Sequence, residues 1–174
     1  MTDMFASQAI TMIADNLRTA YANSSNLHAR SKMLEGSMLA GVAFANAGVT
    51  AVHAFAYPIG AEFHIPHGVA NTIMLIPVME FNTVGNLDKF AQLAQFLGQN
   101  TEGLNKRQKA ASAVQAVGDL AEDLQVPSSL RDYGVQESDI SDLAQGVMQV
   151  SRLLANNPRK LQLRDAEEIY RKAL

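Results

Sequence analysis

Apolar residues recur at helical spacing along nearly the whole chain. Met4, Ile10, Ile13 and Leu17 mark a first amphipathic helix, with Thr2 or Asp3 expected as its cap. Asn23-Ser24-Ser25 reads as a turn. Leu27, Met33, Leu34, Met38, Val42 and Phe44 drive a second helix, which Asn46-Ala47-Gly48 closes. A third segment holds Val52 to Tyr57 and is expected to bend or stop at Pro58-Ile59-Gly60. Ile65-Pro66-His67-Gly68 reads as a loop opening a fourth helix, interrupted near Pro77.

The second half continues in the same period. Leu87, Phe90, Leu93, Ala94 and Leu97 form a fifth helix closed by Gly98. Val114, Val117, Leu120, Ala121 and Leu124 form a sixth that ends before Pro127. Ser128 to Val135 reads as a connector, Asp139 to Leu154 as a seventh helix and Asp165 to Leu174 as an eighth. No strand run, βαβ alternation or internal repeat interrupts the pattern. The expected fold is therefore all-α, with about seven or eight helices over residues 1–174.

Charge changes this picture in one place. From Gly36 to Ala61 there is no Asp, Glu, Lys or Arg, and after Glu62 none until Glu80. A membrane span is not expected there, because Gly41, Asn46, Gly48, Thr50, His53, Pro58 and Gly60 dilute the apolar run. Small residues at that density suit helices packed closely inside a core. Most charges lie after Asn100, where the helices read as ordinary solvated ones.

A net charge of −3 leaves no basic stripe for nucleic acid and no polybasic segment for an anionic membrane. Cysteine is absent, which excludes disulfides, thiolate catalysis and Cys-ligated zinc. The N-terminus lacks the basic and apolar regions of a signal peptide. A cytoplasmic location is the expectation from both.

The uncharged stretch carries the candidate chemistry. His53 sits among small and apolar residues, with Tyr57 one turn later on the same helical face. His67 stands at a backbone corner between Pro66 and Gly68. A buried neutral imidazole commits its ring nitrogens to a hydrogen bond or a metal. On spacing alone both readings stand: a pair of core histidines bonded to backbone, or two metal ligands. His64 and His67 are three apart, but Pro66 argues against a continuous helix through them. His28, beside Arg30 and Lys32, reads as a surface residue. Catalytic metal sites usually take three protein ligands. Glu62 is the only nearby carboxylate, and a lone one is more often simply solvated. No dinucleotide-binding glycine fingerprint, phosphate-binding loop or nucleophile elbow is present.

These residues resemble the iron-containing (group III) alcohol dehydrogenase family. The likeness runs through Gly41-x-Ala43-Phe44-x-Asn46-Ala47-Gly48, then His53-Ala54-x-Ala56, Pro58-Ile59-Gly60 and Pro66-His67-Gly68-x-Ala70-Asn71. It continues to Pro77, Phe81-Asn82 and Asn157-Pro158-Arg159. The resemblance implies the helical C-terminal domain of a dehydroquinate synthase-like fold, with the nucleotide-binding N-terminal domain absent from this chain. It implies Fe²⁺ or Zn²⁺ held by one Asp and three His, two of which match His53 and His67. It also implies NAD or NADP, bound by the other domain, and an alcohol, aldehyde or ketone as substrate.

Many relatives carry a further His where this chain has Tyr57. That makes Tyr57 a candidate to hydrogen-bond substrate, with Phe55 and Phe63 as candidates to shape the substrate side. The isolated chain is expected to be inactive, and a homo-oligomer is among the expected assemblies. The alternative is a non-catalytic helical interaction module derived from the same family.

Overall fold

A computed structural model describes residues 1–174. It contains nine α-helices, three short 3-10 turns and no strand. The helices are α1 (Thr2–Ala22), α2 (Leu27–Ala47), α3 (Ala51–Phe63), α4 (His67–Asn82) and α5 (Leu87–Phe96). They continue as α6 (Lys106–Asp123), α7 (Ile140–Gln149), α8 (Ser151–Leu154) and α9 (Leu163–Ala173). No single helix is long and apolar enough to cross a membrane. The chain divides into two compact units. Met1–Gly48 with Leu87–Gln125 form the first, and Val49–Asn86 with Val126–Leu174 form the second.

The first unit contains α1, α2, α5 and α6. Its helices approach closely because their buried positions are small. Ala29, Gly36 and Ala43 of α2 are buried at seven-residue spacing, and Ala9 of α1 is buried too. Seven residues are close to two helical turns, so these three positions form one stripe. Gly36 is where the approach is tightest: a Cβ there would lie 2.8 Å from Ile13 Cγ1. Ala94 of α5 and Ala110, Ala113 and Ala116 of α6 repeat the device. Asn26 caps α2 by accepting from the Ala29 amide at 3.0 Å. Gly48 closes it with φ 74, a conformation that a side chain disfavours. Neither Thr2 nor Asp3 caps α1. The N-cap is Met1 with no side-chain bond, and the Asp3 carboxylate instead accepts from Lys89 Nζ at 2.8 Å. That bond and the lysine charge hold the Asp3 carboxyl below its usual pKa.

The second unit contains α3, α4, α7, α8 and α9 around a larger apolar core. Phe55, Ile59, Met74, Leu143, Val147 and Tyr170 are fully buried in it. Burial of side chains this size contributes about 1.5–3 kcal/mol each, an upper estimate given a partly compact unfolded chain. That term decides three boundaries differently from local propensity.

First, α3 runs through Pro58 to Phe63 instead of stopping. Ile59 is buried one residue later, and the proline ring lies against α7, where a Cβ on Gly146 would come within 3.0 Å of Pro58 Cγ. Second, α4 is continuous past Pro77, which is itself buried. Third, the segment expected as one helix from Asp139 to Leu154 breaks at Val150 (φ −86, ψ 50) into α7 and α8. The break puts both Val147 and Leu153 in the core. It also accounts for nine helices where the periodicity counts seven or eight. The connector 128–135 contains a 3-10 turn, Leu130–Tyr133, whose Leu130 is fully buried.

Candidate metal centre

α3 supplies the first half of the site. Its inner face is Ala51, Ala54, Phe55 and Ile59. His53 and Tyr57, four residues apart, therefore share another face, His53 half-buried and Tyr57 45% exposed. The helix ends at His64, which takes the left-handed conformation with φ 54. Buried Ile65 anchors the corner, and Pro66 (φ −55, ψ 137) starts α4 with His67 as its first residue. A proline suits this position, because its missing N–H is not required before the first turn.

The corner brings His67 back beside α3. The His53 and His67 ring centroids are 5.3 Å apart, with planes tilted by 56°. The Tyr57 ring stacks on His67 at 6.4 Å between centroids and 29° between planes. Burial, and secondly the neighbouring His67, lower the pKa of His53. Both effects favour the neutral imidazole, the form that can give a lone pair to a metal. No group of three or more His, Cys, Asp or Glu side chains gathers anywhere in the chain. Glu62 is exposed and stands outside the pair, and His64 is exposed on the left-handed corner. His28 is exposed at the start of α2, in the first unit.

Phe55 requires correction as a substrate-side residue. It is fully buried, and its ring meets Tyr170 edge-on at 4.9 Å between centroids. Positions two apart on a helix face about 200° apart, so Phe55 points into the core while His53 and Tyr57, two residues to either side, do not. Phe63 is half-buried and packs against the same core.

One residue of the site was not singled out by the sequence. Asn71, one turn after His67 on α4, places its Nδ2 at 3.0 Å from His67 Nε2 and 3.3 Å from Nδ1. The same Nδ2 donates to the His67 carbonyl at 2.8 Å. The i, i+4 spacing from a candidate ligand was the available signal.

A family model described as the Fe-containing alcohol dehydrogenase family, C-terminal, matches residues 1–174. The chain belongs to this family. Among relatives, the 1,3-propanediol dehydrogenase of Citrobacter freundii is 43% identical over 173 residues, covering 99% of this chain and 44% of that protein. The 1,3-propanediol dehydrogenase of Klebsiella pneumoniae is 41% identical with the same coverage. A crystal structure of a 1,3-propanediol oxidoreductase superposes with a TM-score of 0.96 at 41% identity, over 99% of this chain and 45% of that one. The chain thus spans less than half the length of the relatives it matches, and it is similar to their C-terminal part. The all-α architecture expected from the periodicity is shared with the matched part of that neighbour.

Proposed function

We propose that this chain forms the metal and substrate side of an NAD(P)-dependent alcohol dehydrogenase, with His53 and His67 as two ligands of an Fe²⁺ or Zn²⁺ ion. The observation that carries the reading is the pairing of two imidazoles, 5.3 Å apart between centroids, in a segment almost free of charge. The donor set suits such an ion. Imidazole nitrogens bind both Fe²⁺ and Zn²⁺, and the partial burial of His53 favours its neutral form. With two donors here and three or four usual, the remaining ligands belong to residues beyond this chain's match. The dinucleotide also binds there, as the family resemblance implies.

When bound, the ion supplies Lewis acidity toward an alcohol or carbonyl oxygen. The chain's own residues hold and orient. His53, in the first turn of α3, and His67, the first residue of α4, would hold the ion. The Tyr57 hydroxyl, on an exposed ring beside His67, would donate to or accept from the substrate oxygen or a ribose hydroxyl. Phe63, the last residue of α3, lies at the opposite end of that helix from His53. The overall reaction moves a hydride from the alcohol carbon to the nicotinamide and releases the hydroxyl proton, giving a carbonyl compound and NAD(P)H. Small alcohols, aldehydes or ketones are the substrate class, and the cytoplasm is the proposed location.

The test is metal content and turnover of the whole protein. His53→Ala and His67→Ala are each expected to abolish metal retention and alcohol oxidation with the helical circular dichroism intact. His64→Ala is expected to retain both. Equal loss from His64→Ala and His67→Ala would reverse the choice of histidine. Full turnover by His67→Ala would remove His67 from the metal site, and absence of metal and turnover in the unsubstituted whole protein would leave the helical interaction module.

A further inference from the structure

The hydroxyl of Tyr170 takes no part in the site described above, yet it is buried and makes one directed bond. Tyr170 lies on α9 in the apolar core of the second unit and is 0% exposed. A phenylalanine would fill the same space without taking a hydroxyl out of water. The hydroxyl therefore adds direction to the packing. It donates to the Phe55 carbonyl at 2.8 Å, and the two rings meet edge-on at 4.9 Å between centroids.

The bond lands on one particular turn. Pro58 has no N–H, so α3 lacks the helical bond to the Ala54 carbonyl. A proline inside a helix also crowds that carbonyl and bends the axis. The weakened turn runs from Ala54 to Pro58. His53 stands immediately before it, Tyr57 lies within it, and Phe55 is between the two. α9 thus supplies a bond at Phe55 to a turn that has lost one at Ala54. The directions of the His53 and Tyr57 side chains follow the backbone of that turn, because rotamers are fixed relative to the Cα that carries them. Across the corner, the His67 ring centroid is 5.3 Å from that of His53 and 6.4 Å from that of Tyr57.

We propose that Tyr170 is a positioning residue for the His53–His67 pair. Its hydroxyl holds the proline-weakened turn of α3 in the geometry that sets the His53 imidazole beside His67. That it serves a metal site rests on the proposed ligand role of the two histidines. That it sets their spacing does not.

The experiment uses the 174-residue chain, Zn²⁺ as the probe and circular dichroism as the check on folding. Tyr170→Phe removes the hydroxyl and keeps the ring. Without metal, nuclear Overhauser contacts between the His53 and His67 rings are expected to lose intensity in this variant. In a Zn²⁺ titration it is expected to bind about threefold or more weakly, a smaller effect than the roughly 10–100-fold of a partner bonded to the ring itself. Asn82→Ala is the control for stability alone. It strips a buried hydrogen bond from the same unit, at the far end of α4 from His67. It is expected to keep both the ring contacts and the Zn²⁺ affinity. Pro58→Ala gives the turn back its N–H. In that background, loss of the Tyr170 hydroxyl is expected to change the ring contacts and the affinity less, as residues coupled through one stretch of backbone do.

Unchanged ring contacts in folded Tyr170→Phe overturn the proposal. So does an equal loss of contacts in Asn82→Ala, or an equal effect of Tyr170→Phe with and without Pro58. If Pro58→Ala does not fold, the comparison of Tyr170→Phe with Asn82→Ala decides. Lost contacts with wild-type Zn²⁺ affinity overturn the metal part alone. Zn²⁺ affinity unchanged in both His53→Ala and His67→Ala overturns the ligand reading itself. The ring contacts, read without metal, then decide the positioning part by themselves.

Discussion

Asn82 and Asn157 exchange hydrogen bonds through both halves of their amides. Asn82 Nδ2 donates to Asn157 Oδ1 at 2.8 Å, and Asn157 Nδ2 returns a bond to Asn82 Oδ1 at 2.7 Å. The pair joins the end of α4 to the loop before α9. Asn157 Nδ2 also donates to the Arg159 carbonyl at 2.7 Å. Arg159 in turn donates from Nη1 to the Phe81 carbonyl at 2.9 Å, its guanidinium 3.9 Å from the Phe81 ring centroid. Asn82 is buried, so a lost partner there is not replaced freely by water.

Asn82→Ala is expected to destabilise the chain by about 1–3 kcal/mol, the cost of a buried polar group left unpaired. Asn157→Ala is expected to cost more, because it also releases the Arg159 carbonyl. Urea melts of both single variants and the double should give a coupling energy above about 0.5 kcal/mol. Strict additivity would mean that the pair is not a unit.

The Tyr170 hydroxyl donates to the Phe55 carbonyl at 2.8 Å, three residues before Pro58 in α3. Burial, and secondly the charge of Glu62, push the Tyr170 phenol far above its usual range. In the unfolded chain it ionises near pH 10, and in the folded chain only well above that. The stabilisation is therefore complete below about pH 10 and is lost as pH rises further, by about 1.4 kcal/mol per pH unit for this one group. Tyr170→Phe is expected to be less stable at pH 7 by about 1–3 kcal/mol, because the Phe55 carbonyl loses its donor. It should also show a shallower alkaline decline. Parallel alkaline declines in the two proteins would contradict the assignment.

Gly36 and Gly41 lie on the same helix and should respond oppositely to alanine. A Cβ at Gly36 meets Ile13 Cγ1 at 2.8 Å, whereas at Gly41 it meets nothing within 4 Å. Overpacking costs about 1–3 kcal/mol, against about 0.5–1 kcal/mol gained from better helix propensity. Gly36→Ala is expected to lower the stability measured by chemical denaturation, and Gly41→Ala to raise it. Stabilisation by both would show that α1 yields at Ile13.

Tyr57→Phe keeps the ring that stacks on His67 and removes only the hydroxyl. Under the proposed role, the whole enzyme should retain its metal while kcat/KM falls about tenfold, equivalent to one hydrogen bond of about 1.4 kcal/mol. Wild-type kcat/KM in this variant would leave the phenol no part in the reaction.

The helical content of the chain was legible from residue order. Leu27 to Phe44, Leu87 to Leu97 and Val114 to Leu124 repeat at the helical period, and local spacing is enough to reveal an amphipathic helix. The candidate ligands were legible for a different reason. His53 and His67 stand in a run where imidazole is conspicuous against small apolar residues, and the run as a whole resembles a known family.

What sequence could not supply was anything settled by contact between distant residues. Pro58 and Pro77 read as breaks, yet both helices continue, because burial of Ile59 and Pro77 outweighs the lost backbone bonds. Phe55, two residues from His53, is a core residue because Tyr170, 115 positions away, packs on its ring and bonds its carbonyl. The Asn82–Asn157 exchange and the placement of the Asn71 amide on His67 likewise follow from side-chain geometry and leave no periodic trace. Local pattern determined which segments are helices and where the reactive side chains lie. Only tertiary packing, by assigning each face of those helices a partner or solvent, decided which of those side chains meet.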